Sequence, residues 1–143
     1  NQMIDKKIQN FVFSSTAAVY GIPKYIPLDE NHPLVGQSPY SATKIAADQL
    51  AISYFKSFEL PVKIVRPFNI YGPRQSSRAI IPSIITQALN NKNEIKLGNI
   101  KTSRDFTYVS DACNAFLEIL KIKSFFFYFS IRFQSNKQKP LTL

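Results

Sequence analysis

Tyr40 and Lys44 lie four residues apart in the run Pro39-Tyr40-Ser41-Ala42-Thr43-Lys44. On a helix that spacing puts both side chains on one face, one turn apart. An ammonium beside a phenol favours the ionised phenol, because a nearby positive charge stabilises the anion. A phenol held in that way can move protons near neutral pH. Upstream, the apolar run Phe11-Val12-Phe13 stops at three hydroxyl residues, Ser14, Ser15 and Thr16. It reads as a buried strand whose C-terminal end presents hydroxyls, where open α/β sheets place ligands. Downstream, Val62 to Arg66 reads as a second, β-branched strand that runs into the polar, Pro/Gly-rich loop 67–78. Two strands ending in polar loops therefore flank a helix carrying a Tyr/Lys pair, which together make a site.

The helix that must position this pair is expected from about Tyr40 to Phe58, with Ser38 as N-cap and Pro39 in the first turn. Ala47, Leu50, Ala51, Tyr54, Phe55 and Phe58 follow helical spacing and predict one buried stripe. Tyr40 and Lys44 extend that stripe, so both are expected to face the sheet rather than solvent. The loop before it, 20–37, holds Pro23, Pro27 and Pro33 with the acids Asp29 and Glu30. Further on, the pattern predicts a helix over Ile80 to Leu89, short strands at Ile95 to Leu97 and Phe106 to Val109, and a helix capped by Ser110 that ends near Ile122. Cys113 falls among Ala112, Phe116, Leu117 and Leu120 at helical spacing and reads as a buried structural thiol.

The net charge of +9 over 143 residues invites a nucleic-acid reading. Lys121, Lys123, Arg132, Lys137 and Lys139 supply five of those charges in a C-terminal stretch without a single acid. The remainder is only mildly basic and shows no basic stripe interleaved with stacking aromatics, so nucleic-acid binding is not expected. A single cysteine excludes an internal disulfide framework and suits a reducing, cytoplasmic compartment. His32 has no second histidine or cysteine nearby, so no metal site is expected. No stretch approaches the roughly 20 apolar residues of a membrane span.

Four blocks in order carry a resemblance. They are Ser14-Ser15-Thr16-Ala17-Ala18-Val19-Tyr20-Gly21, then Ser38-Pro39-Tyr40 with Lys44. Next come Arg66-Pro67-Phe68-Asn69 with Tyr71-Gly72-Pro73-Arg74, and Arg104-Asp105-Phe106-Thr107-Tyr108-Val109 with Asp111. From about Phe11 to Leu120 the chain resembles the NAD-dependent epimerases and dehydratases of nucleotide sugars, which are extended short-chain dehydrogenases/reductases. The resemblance implies an α/β fold: the C-terminal part of a doubly wound Rossmann-type NAD domain over 1–79, and part of a substrate-binding region over 80–122. It implies NAD as cofactor, a nucleotide-diphosphate sugar as substrate and a homodimer in the complete enzyme. By the same resemblance Tyr40 is the base, and Lys44 supports its ionisation and contacts the nicotinamide ribose. Thr16 supplies a hydroxyl to the sugar oxygen, and Ser14, Ser15 and Pro67 line the cofactor. Asn69, Arg104 and Arg74 meet the substrate diphosphate, Asp105 orients Arg104, and Asp111 caps the last helix.

The family's chemistry begins with hydride transfer from C4 of the sugar to NAD, giving a 4-keto intermediate. Family 4,6-dehydratases keep a glutamate two residues after the position of Thr16, commonly preceded by an aspartate. Here those positions are Ala18 and Ala17, and a methyl group cannot shuttle protons. That favours a 4-epimerase, although the blocks around Tyr40 and Arg66 resemble amino-sugar 4,6-dehydratases in their background. A non-catalytic remnant is the third reading. Only Gly21, Gly36, Gly72 and Gly98 are present and no Gly-x-x-Gly-x-x-Gly occurs. The phosphate-cradling turn of a dinucleotide fold is therefore absent from the chain, which reads as an inactive interior or truncated piece of a larger enzyme. Residues 123–143 are unassigned. Their five consecutive aromatics, Phe125 to Phe129, have high β propensity with no charge among them and read as an aggregation hazard without a function.

Overall fold

The computed structural model describes residues 2–90, 93–123 and 126–131. A short helix α1, Gln2–Asp5, precedes strand β1, Phe11–Ser14, and a 3-10 turn, Ala17–Tyr20. Helix α2, Pro39–Phe58, leads to β2, Val62–Pro67, and β3, Asn69–Tyr71. Helix α3, Ile80–Leu89, is followed by β4, Phe106–Tyr108, α4, Val109–Lys121, and β5, Phe126–Ile131. Strands β1, β2 and β5 form a parallel sheet with β2 in the centre, and β3 pairs with β4 in a second parallel pair.

The sheet is covered on both sides because β2 turns apolar residues to each face. On one side Val62 and Ile64 pack with Leu60 and with Ala51 and Ile52 of α2, joined by Phe11, Phe13, Tyr54 and Phe55. On the other, Val65 and Ile131 pack with Ala112 and Ile119 of α4, joined by Val12, Ala115 and Phe116. Lys63 lies on this second face with no exposed surface. Its ammonium runs to the foot of the sheet and donates to Asn10 Oδ1 and to the carbonyls of Ile119 (2.9 Å), Leu120 (3.3 Å) and Ile122 (2.7 Å). A buried lysine thereby satisfies carbonyls that the end of α4 leaves without intrahelical partners. Burial pushes its ionisation below the ordinary lysine range.

The expected start of α2 is the observed one. Ser38 and Ser41 exchange side-chain and backbone hydrogen bonds in a capping box, with Pro39 opening the first turn. The buried face is rotated from the expected stripe, however. Ser41, Asp48, Ala51 and Ile52 are buried, whereas Leu50 is 60% and Phe58 54% exposed. An inward acid at position 48 turns the helix, because a cation on β2 receives it.

Other expectations are corrected by the packing. Ile95 to Leu97 is not a strand. The side-chain amide of Gln87 instead takes both backbone groups of Lys96, accepting from its N–H at 2.9 Å and donating to its carbonyl at 3.1 Å. Helix α4 begins at Val109 with Tyr108 as N-cap and no side-chain cap bond, so neither Ser110 nor Asp111 caps it. Asp111 sits in the first turn, where a carboxylate favours the positive end of the helix dipole. Cys113 is exposed, because α4 buries the 112, 115, 116 and 119 side and leaves Leu117 and Leu120 outside with it. The aromatic run is not surplus chain. Phe126–Ile131 is β5, in register with the whole of β2, while residues 124–125 and 132–143 lie outside the described residues.

Candidate active site

The carboxyl ends of β1 and β2 bring the first three sequence blocks together. Ser14 pairs with Val65 in the ladder, and the Ser15 N–H continues it to the Val65 carbonyl at 2.7 Å. The chain then leaves the sheet into the 3-10 turn. Thr16 caps that turn, its Oγ1 accepting the Ala18 N–H at 3.2 Å. Gly21 closes it at φ +64°, a left-handed conformation that disfavours a side chain. Ser15 is buried, and its Oγ finds no hydrogen-bond partner among the described residues.

Helix α2 approaches this edge with its first two turns. Lys44 Nζ donates to the Ser14 carbonyl at 3.2 Å and lies 5.4 Å from the centroid of the Phe13 ring. An ammonium has three N–H donors, and one of them is used here. Tyr40 is 56% exposed, contrary to the expectation that it faces the sheet. It occupies the first turn of α2, while Lys44 one turn later meets β1.

The substrate-side residues divide into two places. Asn69 donates both its backbone N–H and its side-chain amide to the Asp105 carbonyl, at 3.2 and 3.0 Å. The β3–β4 register, Asn69 opposite Phe106, brings Arg104 to the same end of this small sheet. Arg104 is exposed and its Nη1 donates to the adjacent Ser103 carbonyl at 3.2 Å. Arg74 follows the opposite end of β3, exposed and at φ 67°, so it does not join Asn69 and Arg104. It lines a cavity of about 170 Å³ together with Tyr71, Gln75 and Val109. Pro67 closes β2 opposite Ile131.

Sequence reasoning missed the group beneath the site. Arg66, 2% exposed, donates from Nε (3.1 Å) and Nη2 (3.0 Å) to Oδ2 of Asp48, which has no exposed surface. Its Nη1 donates to the Tyr20 hydroxyl at 3.2 Å, and that hydroxyl shares a hydrogen bond with Ser130 Oγ of β5 at 3.0 Å. The guanidinium also lies over the rings of Tyr20 (5.2 Å) and Tyr128 (4.6 Å). The available signal was Asp48 itself, an acid four residues after Lys44 on the helix side that holds the pair. His32, weighed from the sequence only as a metal ligand, is 2% exposed. Its Nε2 accepts the Lys24 N–H at 2.9 Å and its Nδ1 lies 2.9 Å from the Pro33 carbonyl, so both ring nitrogens have partners. Among the described residues no cluster of three or more His, Cys, Asp or Glu could hold a metal ion, and no helix is long and apolar enough to cross a membrane.

This arrangement has close counterparts. The dTDP-D-glucose 4,6-dehydratase of Dictyostelium discoideum is 40% identical over 126 residues, covering 80% of this chain and 29% of that protein. The UDP-N-acetylglucosamine 4-epimerase of Methanobrevibacter ruminantium, solved with UDP-N-acetylmuramic acid, superposes with a TM-score of 0.82 at 30% identity, over 90% of this chain and 43% of that one. The dTDP-glucose 4,6-dehydratase of Bacillus anthracis, solved with NAD, gives 0.82 at 34% identity over 97% and 45%. The chain thus spans less than half the length of each. The model of the NAD dependent epimerase/dehydratase family matches residues 2–124. With that match over most of its length, and the hydroxyl turn and Tyr/Lys helix on adjoining strand ends, the chain belongs to the NAD-dependent epimerase/dehydratase family.

Proposed function

We propose that this chain carries the proton-transfer half of a nucleotide-sugar 4-epimerase. Tyr40 takes the proton from the C4 hydroxyl, because a hydride leaves carbon easily only when the oxygen's proton departs with it. Thr16 donates a hydrogen bond to the same oxygen. Its Oγ1 already accepts the Ala18 N–H, so its own proton is the one left to give. Lys44, with one N–H on the Ser14 carbonyl, has donors left for a ribose diol. Those residues fit the nicotinamide-ribose end of NAD, whereas no glycine-rich turn for its pyrophosphate occurs in the sequence. NAD supplies the hydride acceptor and, after the 4-keto sugar rotates, the hydride donor. Asn69 and Arg104 share one strand end and suit a diphosphate, guanidinium being the better-matched cation. The complete enzyme is a homodimer in the cytoplasm on this reading.

The observation that carries the epimerase is the pair Ala17-Ala18 in the turn that Thr16 caps. Removing the C5 proton and expelling the C6 hydroxyl requires carboxyl groups, and methyls stand where the related dehydratases place them. A 4,6-dehydratase is the second reading, favoured by the 40% identity to the Dictyostelium discoideum enzyme. Placed behind a glycine-rich nucleotide-binding half and given UDP- or dTDP-hexoses with NAD, this segment should interconvert C4 epimers. Mass spectrometry showing loss of water at a rate rivalling epimerisation would establish the dehydratase instead.

A further inference from the structure

We propose that the buried Arg66 sets the spacing between the Thr16 hydroxyl and the Tyr40–Lys44 helix, with Asp48 and Tyr20 as its two arms. The inference rests on the reading of Tyr40 as base and Thr16 as hydroxyl donor. One arm runs to α2. Asp48 stands one turn beyond Lys44 and two beyond Tyr40 on the same side of the helix, and both Nε and Nη2 of Arg66 converge on its Oδ2. The other arm runs to the 3-10 turn. Tyr20 ends the turn that Thr16 begins, and its hydroxyl takes Nη1. A guanidinium is planar and its donors are fixed relative to one another. Helix and turn are thereby held to one rigid group rather than to each other through a flexible chain.

The energetics point the same way. A buried ion pair is a weak source of stability, because desolvating both charges offsets their attraction, and an apolar pair of similar volume often does as well. Here the pair is further burdened, since Asp48 Oδ1 is buried without a hydrogen-bond partner among the described residues. What the pair provides that apolar packing does not is direction. Arg66 follows Val65, the residue paired with Ser14, so the hub sits directly behind the hydroxyl edge. The Tyr20 and Tyr128 rings and Ser130 restrain the fork in turn. Arg66, Asp48 and Tyr20 are positioning residues that touch no reacting atom.

Tyr20→Phe is the cleanest probe, since it keeps the ring and removes only the hydroxyl, and Asp48→Asn removes the charge from the other arm, weakening it and offering Arg66 one amide oxygen in place of the carboxylate. In the chain itself, Asp48→Asn should accelerate hydrogen exchange of the Val19 and Gly21 amides, which close the turn, about tenfold or more while leaving α3 amides unchanged. In a holoenzyme carrying this segment, each variant should lower kcat about 10- to 100-fold, the order expected for a small misplacement of reacting groups. KM for the nucleotide sugar should stay within about threefold, since neither arm contacts the diphosphate residues. Tyr20→Phe with full kcat, beside an inactive Tyr40→Phe, would overturn the positioning role. So would activity that falls only with the folded fraction, or exchange in the turn that ignores Asp48→Asn. A Tyr40→Phe enzyme that still turns over would instead sink the base assignment, and the exchange experiment would still decide whether Arg66 couples the two elements.

Discussion

Lys63 and Arg66, three positions apart on β2, both carry buried cations, and they behave differently. Arg66 meets a carboxylate and stays a directional hub, whereas Lys63 meets the carbonyl end of a helix. Lys63→Met should therefore destabilise the fold. It leaves the carbonyls of Ile119, Leu120 and Ile122 without their donor, at a cost of about 1–3 kcal/mol that removal of a buried charge only partly offsets. Urea unfolding of the two chains measures it. The pH dependence has a definite sign. Burial holds the folded-state ionisation of Lys63 below its usual 10.5, so the unfolded chain binds the proton more tightly. The stability contribution of Lys63 is then reduced at lower pH and rises as pH climbs toward 10.5, fully present above it. The gap between wild type and Lys63→Met should widen in favour of the wild type across that alkaline window, and a constant gap would contradict the burial argument.

Among the elements, what was legible in the sequence was what local chemistry determines. Ser38 with Pro39 marks a helix start in any context, and the runs Phe11 to Phe13 and Val62 to Val65 are strands by β propensity and length. What was not legible depends on partners distant in sequence. The inward face of α2 could not be read without knowing that Arg66 faces Asp48, and apolar counting chose Leu50 instead. Cys113 looked buried because Leu117 and Leu120 are apolar, yet only one side of α4 meets the sheet. The aromatic run before residue 132 is the sharpest case. The propensity that marks an exposed segment as an aggregation hazard is the one that suits a strand covering the edge of β2. The loop after β3 is constrained in the same nonlocal way. A Cβ added at Gly72 would stand 2.5 Å from Val109 Cγ1 in the first turn of α4. Gly72→Ala should cost about 1–3 kcal/mol through overpacking. Val109→Ala in the same chain should recover much of that loss, and thermal unfolding of the single and double variants would reveal strict additivity if the contact were irrelevant.

At the scale of the whole molecule, the sheet has the order β1-β2-β5, and among the described residues only β2 is paired on both sides. The Thr16 turn and the Tyr40–Lys44 helix lie on the β1–β2 side, so their geometry depends on a strand whose other edge has no ladder partner among the described residues. The glycine content bears on cofactor affinity. A dinucleotide is held chiefly at its pyrophosphate, by backbone N–H groups of a glycine turn and the positive end of the following helix. None of Gly21, Gly36, Gly72 and Gly98 belongs to such a turn: the first closes the 3-10 turn and the third packs on Val109. On the proposed reading Lys44 and Tyr40 would meet one ribose, and a pair of exposed or half-buried side chains cannot replace a pre-formed phosphate cradle. Calorimetric titration of the 143-residue chain with NAD should accordingly give no saturable heat at micromolar concentrations, and the chain should gain binding only when a glycine-turn half pairs along β1. Micromolar saturation by the chain alone would mean that the strand ends of β1 and β2 hold the cofactor unaided, and that the pyrophosphate turn is dispensable in this protein.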